Sequence, residues 1–195
     1  MSKIYITGFN GYLGSALCPL LSNYEVIKIG NPEKKYKEKT ILYDLPKKVE
    51  RNSTCIHLAS FSGEESEANK IKTYKTNVTF TKKICELGFE KIYFISSSSI
   101  YGNSDRPFEE DSNLNPTSYY SETKILSEEI VKRSKKNTIL RMAVLMGVSP
   151  HTNWKMFINS IVRNAYENKE SQIFAPNSFR PYINVNDAAL GLTKL

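Results

Sequence analysis

The sequence KIYITGFNGYLG, residues 3–14, decides the fold predicted for this chain. Its first five residues are typical of a short buried strand, and the glycines at positions 8, 11 and 14 lead directly into an apolar helical pattern at residues 15–21. Glycines at three-residue spacing allow a tight turn, close packing of helix on strand, and close approach of backbone N–H groups to a pyrophosphate. The stretch therefore predicts a dinucleotide-binding turn, although a purely structural turn gives the same letters.

Strand and helix patterns alternate along the whole chain. Further strands are predicted at residues 25–29, 40–45, 54–59, 91–96, 138–142, 172–175 and 181–185, and further helices at residues 64–87, 118–135, 153–168 and 186–195. Alternation of this kind predicts an α/β fold of the Rossmann type, a doubly wound parallel sheet with helices on both faces. We expect residues 1–150 to form a dinucleotide-binding domain and residues 151–195 to begin a substrate-binding region.

Composition and charge narrow the class of protein. Of the 195 residues, 40% are hydrophobic and 24% are charged, as in an ordinary globular domain. The net charge of +7 suits an anionic ligand, but the lysines are scattered, so a solvated surface is favoured over a nucleic-acid interface. Three cysteines without metal-ligand spacing predict reduced thiols and no metal. Because the sequence shows neither a signal-peptide pattern nor a membrane-length apolar run, we expect a cytoplasmic protein with no membrane partner.

Residues 115–124, NPTSYYSETK, supply the candidate chemistry. Tyr120 and Lys124 stand four residues apart in a helical pattern, so they share one face of the helix. An unperturbed phenol titrates at about pH 10, so it is a poor base at neutral pH unless a nearby cation stabilises the phenolate. Lys124 can supply that charge. The pair predicts a proton-transfer device, with chance occurrence on an ordinary helix as the alternative.

The end of the second predicted strand bears on the choice of nicotinamide cofactor. An acid there would hydrogen-bond the adenosine ribose, but this chain has Gly30 and Asn31, followed by Lys34 and Lys35. These residues tolerate a 2′-phosphate and favour NADP over NAD, unless the lysines only solvate a loop. Asp44, at the end of the next strand, either contacts the adenine or caps a helical turn.

Two later strands carry polar residues at or near their ends. His57 interrupts an apolar strand, where a hydrogen-bonded structural histidine is favoured over a catalytic one. The serines at positions 96–99 lie at the carboxyl end of the strand at residues 91–96. Open α/β sheets bind ligands at that edge, although serines are also common in ordinary loops.

Several motifs, in this order along the chain, resemble those of the extended short-chain dehydrogenase/reductase family, the group of nucleotide-sugar epimerases, dehydratases and reductases. The resemblance covers almost the whole chain. Its motifs are Thr7-Gly8-x-x-Gly11-x-x-Gly14, Asp44-Leu45, His57-Leu58-Ala59-Ser60, Asn77-Val78, Ser97 four residues before Tyr101-Gly102, Pro116-x-Ser118-x-Tyr120-x-x-x-Lys124, Leu140-Arg141 and Arg180-x-Tyr182-Ile183-x-Val185-x-Asp187.

The resemblance implies a set of site residues. Ser97, Tyr120 and Lys124 would be catalytic, and Ser97 and Arg180 would face the nucleotide-sugar substrate. The cofactor-binding residues would be Gly8, Asn10, Gly11, Tyr12, Leu13 and Gly14 at the pyrophosphate, Gly30 and Asn31 after the second strand, Asp44 and Leu45 at the adenine, and Leu58, Ala59, Ser60, Asn77, Tyr120 and Lys124 along the rest of the cofactor. Relatives pair through two long helices, here residues 70–87 and 118–135, which implies a homodimer.

Departures from the family pattern narrow the expected function. Gly30 replaces the acid after the second strand, Val144 replaces the usual asparagine after the fifth, and Ser98 and Ser99 replace the Asp-Glu pair of the 4,6-dehydratases. Relatives generally continue beyond the position of Leu195, so we expect the C-terminal substrate domain to be largely absent. We favour NAD(P)-dependent reduction of a nucleotide-linked ketosugar over epimerisation. The alternative is a non-catalytic dinucleotide-binding protein, either a redox sensor or a truncated remnant that binds cofactor without turnover.

Overall fold

The fold is an α/β structure built on one parallel sheet. The computed structural model describes residues 3–30, 41–42, 45–104, 106–134, 136–171, 173 and 179–195. The strands are β1 (Ile4–Thr7), β2 (Val26–Ile29), β3 (Ile41–Leu42), β4 (Thr54–His57), β5 (Lys91–Ser97), β6 (Asn137–Met142), β7 (Val144–Met146) and β8 (Tyr182–Asn184). The first six form a parallel sheet in the order β3-β2-β1-β4-β5-β6, which confirms the Rossmann-type class.

Seven α-helices accompany these strands among the described residues. They are α1 (Tyr12–Leu17), α2 (Glu64–Ala68), α3 (Lys70–Tyr74), α4 (Phe80–Glu86), α5 (Tyr119–Lys132), α6 (Phe157–Asn168) and α7 (Val185–Leu192). A 3-10 turn at Cys18–Leu21 extends α1, a π-helical turn at Lys75–Thr79 joins α3 to α4, and a 3-10 turn at Ser98–Tyr101 follows β5. No described helix is both long enough and apolar enough to span a membrane.

The core lies on both faces of the sheet because side chains alternate along each strand. Ile4 and Ile6 of β1 belong to one apolar cluster, with residues of α1 and α7. Tyr5, between them, belongs to a second cluster, with residues of α4 and α5. The strands are therefore buried from both sides, which explains why they appear in the sequence as short continuous apolar runs.

The prediction of a single helix at residues 64–87 is wrong. At Asn69 the backbone leaves the helical region, with φ −126° and ψ 73°, so α2 ends there. The Asn69 carboxamide then accepts a hydrogen bond from the N–H of Lys72 and caps α3, as asparagine commonly does at a helix start. The π-helical turn that follows contains Asn77, and such wider turns are often found at functional sites.

The remaining differences concern element boundaries and one unpredicted strand. The helix predicted at residues 153–168 begins only at Phe157, and the one predicted at residues 186–195 ends at Leu192. Strand β7 was not predicted; it pairs in parallel with β8 to form a second, two-stranded sheet. The strand predicted at residues 172–175 lies outside the described residues except for Ile173, which belongs to no strand.

Candidate active site

The candidate site lies at the carboxyl edge of the main sheet, where β1, β4 and β5 end side by side. Thr7 of β1 pairs with His57 of β4, and His57 pairs with Phe94 of β5. The glycine turn follows β1, a loop beginning at Leu58 follows β4, and Ser97 ends β5. The fold therefore brings three of the predicted site segments together, at the edge where parallel α/β sheets bind ligands.

The glycine turn is a tight backbone cradle in which side chains would not fit. Gly8 has φ +69°, and a Cβ there would lie 2.7 Å from the backbone nitrogen of Ala59. A Cβ on Gly14 would lie 2.2 Å from the carbonyl oxygen of Gly8. The N–H of Gly11 donates to that same oxygen at 2.9 Å, and Asn10 and Gly11 are exposed. The backbone at the start of α1 is therefore open to an anionic group such as a pyrophosphate.

His57 is a fully buried structural residue, as the sequence favoured. Its Nδ1 lies 2.6 Å from Oγ1 of Thr7 and its Nε2 lies 2.8 Å from Oγ1 of Thr81. The Thr7 hydroxyl also accepts a hydrogen bond from the N–H of Ala59, which fixes the loop after β4. Burial, and secondarily the charge of Lys124, lowers the pKa of His57 to about 3, so the imidazole is neutral at physiological pH.

Asn77 ties the loop after β4 to helix α5. Its Oδ1 accepts hydrogen bonds from the Oγ of Ser60 at 3.2 Å and from the N–H of Phe61 at 2.8 Å. Its Nδ2 donates to the carbonyl oxygen of Phe61 at 3.0 Å and to Oγ1 of Thr123 at 2.9 Å. With the residue only 2% exposed, these bonds occupy the carboxamide, so Asn77 positions Ser60 rather than presenting a free group to a ligand.

Tyr120 lies in the first turn of α5 and faces two serine hydroxyls. Ser118 caps this helix, and the carboxylate of Glu67 accepts hydrogen bonds from the N–H groups of Tyr119 and Tyr120, each at 3.2 Å. Burial raises the pKa of the Tyr120 phenol, and its interactions with the side chains of Ser60 and Ser97 partly oppose that shift. The structure therefore groups Tyr120 with Ser97 and Ser60, with the phenol protonated at neutral pH.

The prediction that Lys124 lowers the pKa of Tyr120 is wrong for this structure. Lys124 is 2% exposed; its Nζ donates to the carbonyl oxygen of Ile95 and lies 4.3 Å from the centroid of the Phe94 ring. Burial lowers the pKa of Lys124 itself to about 7, and Glu128 opposes the shift. The i, i+4 spacing places both residues on one helix face, but the ammonium group turns towards the strand β5 instead of the phenol.

Comparison with known proteins identifies the family. The model of the NAD-dependent epimerase/dehydratase family matches residues 4–195. The chain belongs to this family. The match agrees with the resemblance to extended short-chain dehydrogenases/reductases, whose glycine turn, serine and Tyr-x-x-x-Lys segments meet at the edge described above.

Individual relatives of the epimerase/dehydratase family show the range of its activities. A UDP-glucose epimerase of Bacillus subtilis, described as uncharacterized, is 26% identical over 227 residues, which cover 98% of this chain and 71% of that protein. A dTDP-4-dehydro-6-deoxyglucose reductase of Escherichia coli is 31% identical over 147 residues, 69% of this chain and 46% of that protein. The UDP-glucuronic acid 4-epimerase of Bacillus cereus, solved with UDP-glucuronic acid and NAD, shares the fold with a TM-score of 0.81 at 22% identity, covering 98% of this chain and 72% of that one.

In this family member, a segment that the sequence did not single out packs over the glycine turn. The phenol of Tyr12 donates to the carbonyl oxygen of Gly147 at 2.5 Å, and Nδ2 of Asn159 donates to the Tyr12 phenol at 2.9 Å. Nδ1 of His151 lies 2.9 Å from the carbonyl oxygen of Asn10. Tyr12 is therefore held by its hydroxyl, and the loop after β7 borders the glycine turn.

The other predicted site residues are more dispersed. Leu45 packs against the second apolar cluster, Gly30 follows β2 directly, and Arg180 is exposed two residues before β8. Asn31 and Asp44 lie outside the described residues. The described residues also contain no group of three or more histidine, cysteine, aspartate or glutamate side chains that could hold a metal ion.

Proposed function

We propose that the chain is the nucleotide-binding and catalytic portion of an NAD(P)-dependent enzyme that reduces a nucleotide-linked ketosugar. The observation that carries this proposal is the grouping of Tyr120 with Ser97 and Ser60 beside the glycine turn. A phenol, two hydroxyls and an open phosphate cradle are the groups that carbonyl reduction by a nicotinamide cofactor requires.

The protonation state of Tyr120 supports reduction over epimerisation. Reduction needs a general acid that gives a proton to the carbonyl oxygen, and burial keeps the Tyr120 phenol in that protonated form. Ser97 would hydrogen-bond the same oxygen and hold it near the phenol. The cofactor would supply the hydride, and the E. coli relative, whose name describes a ketosugar reductase, shows that the family accommodates this reaction.

The residues present fit a nicotinamide dinucleotide. The backbone of Gly8, Gly11 and Tyr12 would hold the pyrophosphate at the start of α1. Gly30 after β2 offers no carboxylate to a ribose 2′-hydroxyl, which supports NADP over NAD. Arg180, which is exposed, is the residue we assign to the phosphates of the sugar nucleotide.

A matched pair of tyrosine variants tests the catalytic role. With NADPH and a panel of nucleotide-linked ketosugars that includes dTDP-4-dehydro-6-deoxyglucose, Tyr120→Phe should reduce kcat by about 10² to 10⁴. Tyr119→Phe removes the same hydroxyl from the neighbouring residue, whose ring lies beneath Nζ of Lys70, and should leave kcat within about twofold. NADPH affinity should be unchanged in both. Equal rates for the two variants would refute the role of Tyr120.

A non-catalytic dinucleotide-binding protein is the second candidate, and the position of Lys124 favours it. The lysine bonds to the carbonyl oxygen of Ile95 and does not lower the pKa of the phenol. A chain that binds NADPH but oxidises it with none of the ketosugars, in the 195-residue form and in a form extended with a relative's C-terminal region, would establish this alternative.

A further inference from the structure

Four serine hydroxyls form a continuous hydrogen-bonded chain that ends at Ser97. Oγ of Ser118 lies 2.7 Å from Oγ of Ser121. Oγ of Ser121 donates to Oγ of Ser99 at 3.1 Å, and Oγ of Ser99 lies 2.9 Å from Oγ of Ser97. We call these four residues the serine chain. It joins the cap of α5 to the end of β5, two segments that are about twenty residues apart in sequence but adjacent in the fold.

The hydrogen bonds of the serine chain point in one direction. Because the Ser121 hydroxyl gives its proton to Ser99, the Ser118 hydroxyl must donate to Ser121, and Ser99 is left to donate to Ser97. Backbone N–H groups reinforce this order, since Ser121 N–H donates to Ser118 Oγ and Ser99 N–H donates to Ser97 Oγ. Every hydroxyl in the chain therefore donates towards Ser97, one of the two serines whose side chains interact with the Tyr120 phenol.

Burial along the serine chain suits proton conduction from solvent. Ser121, in the middle, is fully buried, so no bulk water reaches that link. Ser118, at the outer end, and Ser99 and Ser97, at the inner end, are half-buried. The oxygen atoms along the serine chain are 2.7 to 3.1 Å apart, so every link is within hydrogen-bond range.

We propose that the serine chain is a proton relay that returns a proton to Tyr120 after each reduction. This role rests on the proposed function: reduction of a carbonyl adds one hydride and one proton to the sugar, so Tyr120 becomes a phenolate that must be reprotonated. Ser97 gives its proton to the phenolate and receives a proton from Ser99. Ser99 then receives a proton from Ser121, and Ser121 receives one from Ser118. A water molecule at Ser118 supplies the last proton. One proton enters from solvent for each ketone reduced. An epimerase, which returns its proton to the sugar, has no such need.

Breaking the middle of the serine chain should separate the first turnover from the later ones. In stopped-flow mixing with NADPH and excess ketosugar, Ser121→Ala begins with Tyr120 protonated, so one equivalent of NADPH per site is oxidised at the wild-type rate. Steady-state turnover should then fall by about tenfold, limited by reprotonation, and its solvent deuterium isotope effect should rise. Ser99→Ala should behave in the same way, and Ser99→Thr, which keeps a hydroxyl, should restore the steady-state rate.

Ser127→Ala is the matched control. Ser127 is also fully buried on α5, but its hydroxyl bonds to the carbonyl oxygens of Asn77 and Thr123 and lies outside the serine chain. Ser127→Ala should show no burst of NADPH oxidation and no change in the solvent isotope effect. The affinity for NADPH, measured by fluorescence, should be unchanged in this control and in the three variants of the serine chain. Linear, wild-type kinetics for Ser121→Ala would overturn the relay while leaving the proposed function intact. A wild-type chain that oxidises NADPH with no ketosugar would refute both.

Discussion

Nδ2 of Asn77 donates a 2.9 Å hydrogen bond to Oγ1 of Thr123, which immediately precedes Lys124 on α5. Through its other bonds the same carboxamide holds Ser60 and Phe61 of the loop after β4. Asn77 thereby fixes the distance between Ser60 and the helix that carries Tyr120. Asn77, which we expect to line the cofactor, thus also builds the frame of the site.

Substitution of Asn77 should destabilise the protein. Asn77→Asp replaces two N–H donors with a carboxylate oxygen that faces the carbonyl of Phe61 and the hydroxyl of Thr123, in a site that is 2% exposed. We expect the free energy of unfolding to fall by about 1 to 3 kcal/mol or more, measured by urea denaturation. Asn164→Asp, on the exposed surface of α6, should change it by less than about 0.5 kcal/mol. Equal losses would contradict the framing role.

Substitution by alanine should have opposite effects on protein stability at two helical glycines, Gly14 and Gly191. Gly14→Ala would place a Cβ 2.2 Å from the carbonyl oxygen of Gly8, so it should weaken NADPH binding and lower the melting temperature. Gly191 lies within α7 with no atom in range of an added Cβ, so Gly191→Ala should stabilise the protein by about 0.5 to 1 kcal/mol. Thermal unfolding with and without NADPH tests both, and a neutral Gly14→Ala would show that the cradle relaxes.

How far the sequence predicts this molecule depends on the range of the forces involved. The pattern from β1 through the glycine turn to α1 is local, so the Rossmann-type sheet was predictable. The break at Asn69 and the π-helical turn around Asn77 were not, because Asn77 is held by Phe61 and Thr123, which are distant in sequence. The same holds for the pKa of Tyr120: spacing showed that Lys124 shares its helix face but not that burial would dominate.

The protonation of His57 gives a pH-dependent stability. Because burial and the charge of Lys124 lower its folded-state pKa to about 3, below the usual value of about 6.5, the unfolded chain binds more protons between those pH values. The free energy of unfolding should therefore decrease as pH falls from 6.5 towards 3. Since Thr81 uses its own proton on the carbonyl oxygen of Asn77, NMR should find His57 neutral at pH 5 as the Nε2–H tautomer. In the control variant His151→Gln, which removes the other histidine, the His57 signals should be unchanged. Signals of a protonated His57 at pH 5 would contradict its burial.

An exposed apolar surface on α3 and α5 supports the expected homodimer. Ile71 is 73% exposed, Tyr74 44% and Leu126 46%, and α3 and α5 lie against each other. We expect a dimer at micromolar concentration in sedimentation, and Leu126→Glu should convert it to a monomer because it would place a charge in the interface. Leu190→Glu, at a comparably exposed leucine on α7, should leave the dimer intact. A monomeric wild-type chain would remove the basis of this prediction.

The last prediction concerns cofactor choice and rests on Gly30. Gly30 directly follows Ile29, which pairs with Thr7 of β1, so it lies beside the glycine turn. Without a carboxylate at that position, NADPH should bind more tightly than NADH in a fluorescence titration. Gly30→Asp should reverse the order, since the new carboxylate repels a 2′-phosphate and accepts a hydrogen bond from a ribose 2′-hydroxyl. A charge-assisted hydrogen bond is worth about 1.5 to 3 kcal/mol, so we expect a change of about tenfold or more in the ratio of the two Kd values.

Asn23→Asp is the matched control for Gly30→Asp, because it makes the same change in net charge. Asn23 is exposed and precedes β2, so it lies at the amino edge of the sheet, away from the site. Its effect on the ratio of the Kd values should be less than about twofold, as long-range charge is screened in salt. If the wild-type chain binds NADH as tightly as NADPH, or if both aspartate variants shift the ratio equally, the position of Gly30 does not select the cofactor.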